Sequence, residues 1–231
     1  MKVGLGTILI FAMFLTPVLA GEEPNVVYWN SEEGKALRTR IPPDADYWEL
    51  SPVFTVQKTQ AFCGVASAVT ILNAMKVKKP IDRMYYPYPY FTQMNFFTPR
   101  VLKVIKMQTV MSMGLTRDQL AETLHKHGVK AKSIAGDSLN EEALRAFLIK
   151  SLRDDGNFVL VNYLRTTLHQ KGGGHWSVLA AYDAKTDSAL ILDVAKFKYP
   201  PAWVGIDTLR TAIDTIDTTS NKPRGLILVS K

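Results

Sequence analysis

Four short apolar segments in the C-terminal third restrict the fold of this chain more than any other feature. NFVLVNYL (157–164), HWSVLAAYD (175–183), SALILDVA (188–195) and RGLILVSK (224–231) are each eight or nine residues long and rich in branched side chains. That length and composition predict strands. DAKTDS (183–188) is a turn that folds the second strand against the third as a hairpin. Ahead of these strands the hydrophobic period is helical. Val65, Ala68, Val69, Leu72 and Met75 share one face of a helix starting near Cys63. In TRDQLAETLHKHG, Thr116 caps a helix with Gln119 reaching back, and Gly128 suits its stop. In SLNEEALRAFLIKSLRDDG, Ser138 and Glu141 form the same pair, Leu144, Phe147, Leu148 and Leu152 give the buried stripe, and Gly156 ends it. IDTLRTAIDTI (206–216) reads as a further helix, and residues 21–56 as a loose lead-in with turns at IPPDAD. KVKKPIDRMYYPYPYFTQMNFF carries three prolines and reads as a long structured loop, whose aromatic part, 84–97, covers the core. Helices first and antiparallel strands later make an α+β layout.

The first twenty residues, MKVGLGTILIFAMFLTPVLA, have Lys2, an apolar run from Val3 to Leu15 and a small residue at Ala20. That is the layout of a secretory signal peptide cleaved after Ala20, with the working domain in 21–231 and a periplasmic or secreted destination. The run is short for a spanning helix and no basic cluster follows it, so a retained anchor is the weaker reading. The chain holds 28 Lys and Arg against 21 Asp and Glu, a net +7. A positive balance favours anionic partners. The bases are scattered along the sequence without a basic helix or recognition motif. They read as a solvated surface, and no nucleic-acid partner is expected.

An exported chain usually pairs its cysteines, yet this one has a single cysteine, Cys63. A lone thiol there is either buried and inert or a working nucleophile. At a helix N-terminus the helix dipole and free N–H groups stabilise a thiolate. Such a nucleophile needs a base and an acceptor that orients the base. His175, at a strand start after three glycines, is the favoured base. His125 and His127 end an amphipathic helix and read as favourable charge and solvent contact, with only a weak case for a metal site because alternate residues diverge. His169 lies in a polar loop. Asp193, ending an apolar strand, is the acceptor candidate, with Asp183 in the turn as its rival. A simple hairpin sets 193 level with 178, so contact with His175 requires long side chains, an offset or a bulge. Gln57, six residues ahead of Cys63, is placed as an oxyanion donor.

AFCGVASAVTILNAM, VLVNYLR, GGGHWSVLAAYD and ILDVAKFKYPPAWV resemble the phytochelatin synthase family, above all its short bacterial members, over Trp48 to Lys231. The resemblance implies a papain-like catalytic domain acting on glutathione. Cys63 is then the nucleophile, His175 the base and acid, Asp193 its orienter and Gln57 the oxyanion donor. Arg165 and Arg224 match substrate-binding arginines, with Asn162 and Gly64 in the same pocket. It implies no resident cofactor, metal–glutathione thiolates as substrates and heavy metals as activators. Homodimerisation is a further expectation, and no membrane contact is expected after signal cleavage. Plant-type members carry a cysteine-rich C-terminal region that one cysteine does not match. Hydrolysis to γ-glutamylcysteine is therefore expected to outweigh polymerisation. A papain-like peptidase or amidase with another substrate, and a non-catalytic binding protein, remain alternatives.

Overall fold

The computed structural model describes residues 23–153 and 156–231. The expected signal sequence, 1–20, lies outside the described residues. Among the described residues nine strands run in chain order as β1 (Val26–Tyr28), β2 (Lys130–Ala135), β3 (Phe158–Leu164), β4 (Gly174–Asp183), β5 (Ser188–Leu192), β6 (Ala202–Gly205), β7 (Ile216–Asp217), β8 (Lys222–Pro223) and β9 (Gly225–Ser230). Seven form one antiparallel sheet in the order β1-β6-β5-β4-β3-β9-β2, and β7 and β8 pair as a small separate ladder. The helices are α1 (Glu32–Arg38), α2 (Tyr47–Leu50), α3 (Cys63–Ala74), α4 (Met107–Met113), α5 (Arg117–Lys126), α6 (Glu141–Ser151) and α7 (Ile206–Ile213). The chain is α+β, as its order of elements predicts.

The continuous apolar character of the strands has a packing cause. Alternate residues of a strand face opposite sides of its sheet. Phe158 and Leu160 of β3 join a core with α3, α5, Phe91 and Phe96, while Val159 and Val161 join a second core with α6 and α7. An antiparallel sheet often leaves one face wet. Here both faces are covered, so neither side of β3 carries the polar alternation of a half-exposed strand.

Two expected caps resolve differently. Thr116 and Gln119 make the full capping box of α5, and Gly128 follows its end with a φ of +82°. The expected Ser138–Glu141 box does not form. Asn140 caps α6 instead, accepting from the Ala143 N–H at 2.8 Å, while the Ser138 hydroxyl donates to the Ala135 carbonyl. An asparagine directly before the helix reaches its free N–H groups, and Ser138 sits two residues too early. Helix α6 also ends at Ser151, ahead of Gly156.

The aromatic loop is divided. Phe91, Phe96 and Phe97 are buried under α3 and α5, as a covering segment requires, whereas Met84, Tyr86 and Tyr88 are exposed. His127 belongs to the buried part rather than to solvent. Its ring lies 5.3 Å from that of Phe91 and 4.8 Å from that of Phe96, and its Nε2 is buried without a hydrogen-bond partner among the described residues. Burial pushes its pKa down to about 4, opposed in part by a backbone contact with Phe96. Below pH ~6.5 the unfolded chain binds a proton that the folded chain refuses, so stability falls as pH drops from ~6.5 towards 4. We expect this residue to cost about 2 kcal/mol of stability between pH 7 and 4.5. Denaturant melts of His127→Leu should lose that part of the pH slope; an unchanged slope would refute the assignment.

Candidate functional site

Cys63 is the first residue of α3, and its sulfur is held by three groups. The backbone N–H of Gly64 and that of Trp176 point at it, and the imidazole of His175 shares a hydrogen bond with it. Burial pushes the thiol up, but these bonds and the charge of His175 outweigh it, so the thiol sits below its ordinary range. The opposite shift appears on His175. Burial pushes it down, and Asp193 and Cys63 together raise it above an ordinary imidazole. The pair therefore leans towards thiolate and imidazolium.

His175 Nε2 lies 2.8 Å from Asp193 Oδ1, which leaves Nδ1 for the sulfur. A bulge brings this about. Strands β4 and β5 pair Asp183 with Ser188 and Ala181 with Leu190, then skip one residue and pair Leu179 with Ile191 and Val178 with Leu192. Without the skip, Asp193 would stand level with Val178 and point to the other face from His175. With it, extending the register by one residue sets Asp193 level with Ser177. That is the His175 face, one diagonal step away.

Asp193 is nearly enclosed. Its Oδ1 also accepts from the Ala195 N–H at 2.8 Å and from Arg165 Nη2 at 3.0 Å, and Nη2 lies 2.8 Å from Oδ2. The Tyr163 hydroxyl stands 3.5 Å from Oδ2. Burial would raise this carboxyl, but His175, Arg165 and the Ala195 N–H hold it below the usual range. Asp183 is occupied elsewhere, by Arg40 at 2.9 Å and by the Thr186 backbone and hydroxyl.

Cys63 opens into a cleft of ≈ 350 Å³ that is also lined by Gln60, Ala61, Asn162, Trp176 and Arg224. Arg224 is buried, donates from Nη1 to Asn162 Oδ1 at 2.8 Å and lies 3.9 Å from Asp217. Its Nε has no partner among the described residues. Burial lowers its pKa, with Asp217 and Cys63 opposing. Gly174 is required beside it, because a Cβ there would stand 2.0 Å from Nη1.

The other expected site residues are placed differently. Arg165 is outside the cleft. Its side chain is 3 % exposed, and its guanidinium is taken by Asp193 and by Gln170 Oε1 at 2.5 Å. The expectation of a substrate contact gives way to a support for the acid. Gln57 is buried and donates from Nε2 to the carbonyls of Thr59 and Gln60, at 2.8 and 3.1 Å. Its amide hydrogens hold the turn leading into Cys63 instead of facing the cleft. Gly64 sits beneath Trp176 and Leu115, and meets the sulfur through its N–H. His169 is a surface residue 3.1 Å from Glu23. Tyr163, Trp176, Gln170 and Asp217 were not singled out from the sequence. Aromatic side chains carry no spacing signal of their own. The register of β3 against β4 reveals Tyr163 and Trp176, while the loop after β3 brings in Gln170 and β7 brings in Asp217.

The chain thus carries a buried cysteine–histidine–aspartate array, with its cysteine at a helix N-terminus, on an α+β frame. The family model for phytochelatin synthase matches residues 21–226, and the chain belongs to that family. Glutathione γ-glutamylcysteinyltransferase 1 of Arabidopsis thaliana is 30% identical over 211 residues, which are 90% of this chain and 42% of the relative. Glutathione γ-glutamylcysteinyltransferase 2 of the same plant is 31% identical over 185 residues, 80% of this chain and 40% of the relative. The Schizosaccharomyces pombe enzyme of that name is 26% identical over 184 residues, 80% of this chain and 43% of the relative. The chain spans less than half the length of these relatives.

Proposed function

We propose that the chain is a glutathione-processing cysteine acyltransferase and hydrolase. The observation that carries this reading is the continuous hydrogen-bonded line from Cys63 through His175 to Asp193 at the floor of a cleft containing Arg224. A cysteine on a helix start, against a sheet that supplies histidine and then aspartate, supports a papain-like arrangement over residues 21–231. The expected signal sequence supports an exported protein.

The Cys63 thiolate attacks the carbonyl carbon of the Cys–Gly amide of glutathione, forming a C–S bond and moving the carbonyl electrons onto oxygen. The backbone N–H of Cys63, free at the helix start, stabilises that oxyanion. Collapse breaks the C–N bond, and His175 delivers its proton to the departing glycine nitrogen. A γ-glutamylcysteinyl thioester remains on Cys63. Neutral His175 then takes a proton from water, whose attack yields γ-glutamylcysteine, or from the amine of a second glutathione, whose attack yields a phytochelatin. Either step returns the thiolate and the imidazolium. Metal–glutathione thiolates fit as acceptors, because their sulfurs are already blocked and the amine remains free.

Arg224 reads as the carboxylate anchor. Its contact with Asp217 is long, so its Nη2 can turn to a substrate carboxylate. Arg224→Met should raise KM about 10- to 100-fold with a smaller change in kcat. An unchanged KM would exclude Arg224 from substrate binding. The function itself is tested by intact-protein mass after brief incubation with glutathione, together with released glycine. A γ-glutamylcysteinyl adduct with equimolar glycine is expected; a folded protein giving neither would sink the assignment.

A further inference from the structure

The net charge of the chain has one origin. The bases are scattered, but the acids are not. Between Glu49 and Asp118 the chain has nine Lys and Arg and a single acid, Asp82. The rest of the sequence nearly balances, with nineteen bases against twenty acids. The same stretch displays apolar side chains. Met84 is 79% exposed, Tyr86 77%, Tyr88 75% and Ile81 59%, and all four lie in the loop Pro80–Tyr90.

This exposure is built in. The loop is closed by the Tyr90 N–H donating to the Pro80 carbonyl at 2.9 Å and by a bridge between Ile81 and Pro89. Asp82 turns its carboxylate inward, accepting from the Met84 N–H, the Thr92 hydroxyl and the Asn95 amide. Asn95 also ties the Tyr90 carbonyl. The one acid of the stretch is thus spent on the loop's own framework. Lys78, just ahead of the loop, and Arg83, within it, remain as exposed charge, while Lys58 faces Asp82.

We propose that the Pro80–Tyr90 loop docks the protein on an anionic lipid bilayer. Tyrosines have an apolar ring and a polar tip, which suits the boundary between headgroup and acyl chain. Ile81 and Met84 supply the apolar part that enters, and the bases behind them meet lipid phosphates. A nucleic acid could stack on Tyr86 and Tyr88, but it gives the exposed Ile81 and Met84 no apolar partner, which an acyl-chain boundary does. A second copy of the chain would bring Lys78 and Arg83 against the same bases of its partner across the two-fold contact. The inference does not depend on the reaction at Cys63, and it replaces the expectation from the sequence that the cleaved chain makes no membrane contact.

The test is co-sedimentation of the full chain with vesicles of about 30 % phosphatidylglycerol in phosphatidylcholine, and with pure phosphatidylcholine. Wild type is compared with Met84→Ser/Tyr86→Ser/Tyr88→Ser and with Lys78→Glu/Arg83→Glu. All three carry the same N-terminal segment, so differences report the loop. Thermal melts check folding, and if the serine variant fails to fold, the charge variant decides. Partition onto the anionic vesicles should fall about tenfold or more in both variants, to the level of wild type on neutral vesicles. Unchanged partition would overturn the proposal. So would vesicle binding independent of the loop, combined with loss of oligonucleotide binding or of a dimer in sedimentation velocity.

Discussion

Replacing Cys63 with serine should lower glycine release from glutathione by about 10³-fold or more and abolish the covalent adduct. The reason lies in the pair rather than in the sulfur alone. With the thiol lowered and His175 raised, the resting imidazole already holds the proton. It stands ready as an acid for the leaving glycine. A serine hydroxyl keeps its own proton, so the variant loses both the anionic nucleophile and the charge that helps raise His175. The substitution is close in volume at a buried position, so the melting temperature should change little. Glycine release at the wild-type rate would exclude Cys63 as the nucleophile. The pair makes a second arm available, because Cys63 is the only cysteine in the chain and any alkylation reports it alone. Iodoacetamide should label it at a rate that persists below the ordinary thiol range of ~8.5. In His175→Ala, burial acts without its main offset and the thiol pKa moves up, so labelling at pH 7 should fall about tenfold. Equal labelling of the two proteins would show that His175 does not set the charge of the sulfur.

The order of elements and most of the site were legible because they rest on local signals. The strands at 157–164, 175–183 and 224–231 agree with β3, β4 and β9 to within a residue at most ends, because a sheet covered on both faces leaves an unbroken apolar run. β1 and β6 escaped because each is only three or four residues long, and their stability comes from pairing with each other and with β5 rather than from propensity. Cys63, His175 and Asp193 were readable from helix start, strand start and strand end. The bulge at Ala180 was not, since nothing in AAY marks a skipped residue. That skip alone turns Asp193 to the His175 face, so the contact rests on one backbone irregularity. Arg165 and Arg224 looked alike in sequence, each an arginine at a strand end. The fold separates them, with one behind the acid and one in the cleft.

That separation gives the second large effect. Asp193→Ala should lower stability by about 3–5 kcal/mol and turnover by about 10²- to 10⁴-fold. The stability loss arises from what is left behind. Arg165 would keep Gln170 as its side-chain acceptor and lose its countercharge at a site 3 % exposed, and His175 Nε2 would lose its acceptor. A buried pair broken on one side costs far more than the intact pair contributes. Removing both charges should therefore recover stability, with Asp193→Asn/Arg165→Met more stable than Asp193→Asn alone. Losses that merely add across the two sites would refute the coupling. The kinetics of Arg165→Met then separate support of the acid from contact with substrate. A support acts through Asp193 and His175, so kcat should fall, the pH profile of thiol alkylation should shift upward and KM should hold. A rise in KM with an unmoved alkylation profile would return Arg165 to the substrate pocket. In that case the enclosure of Asp193 would owe its effect to Ala195 and His175 alone.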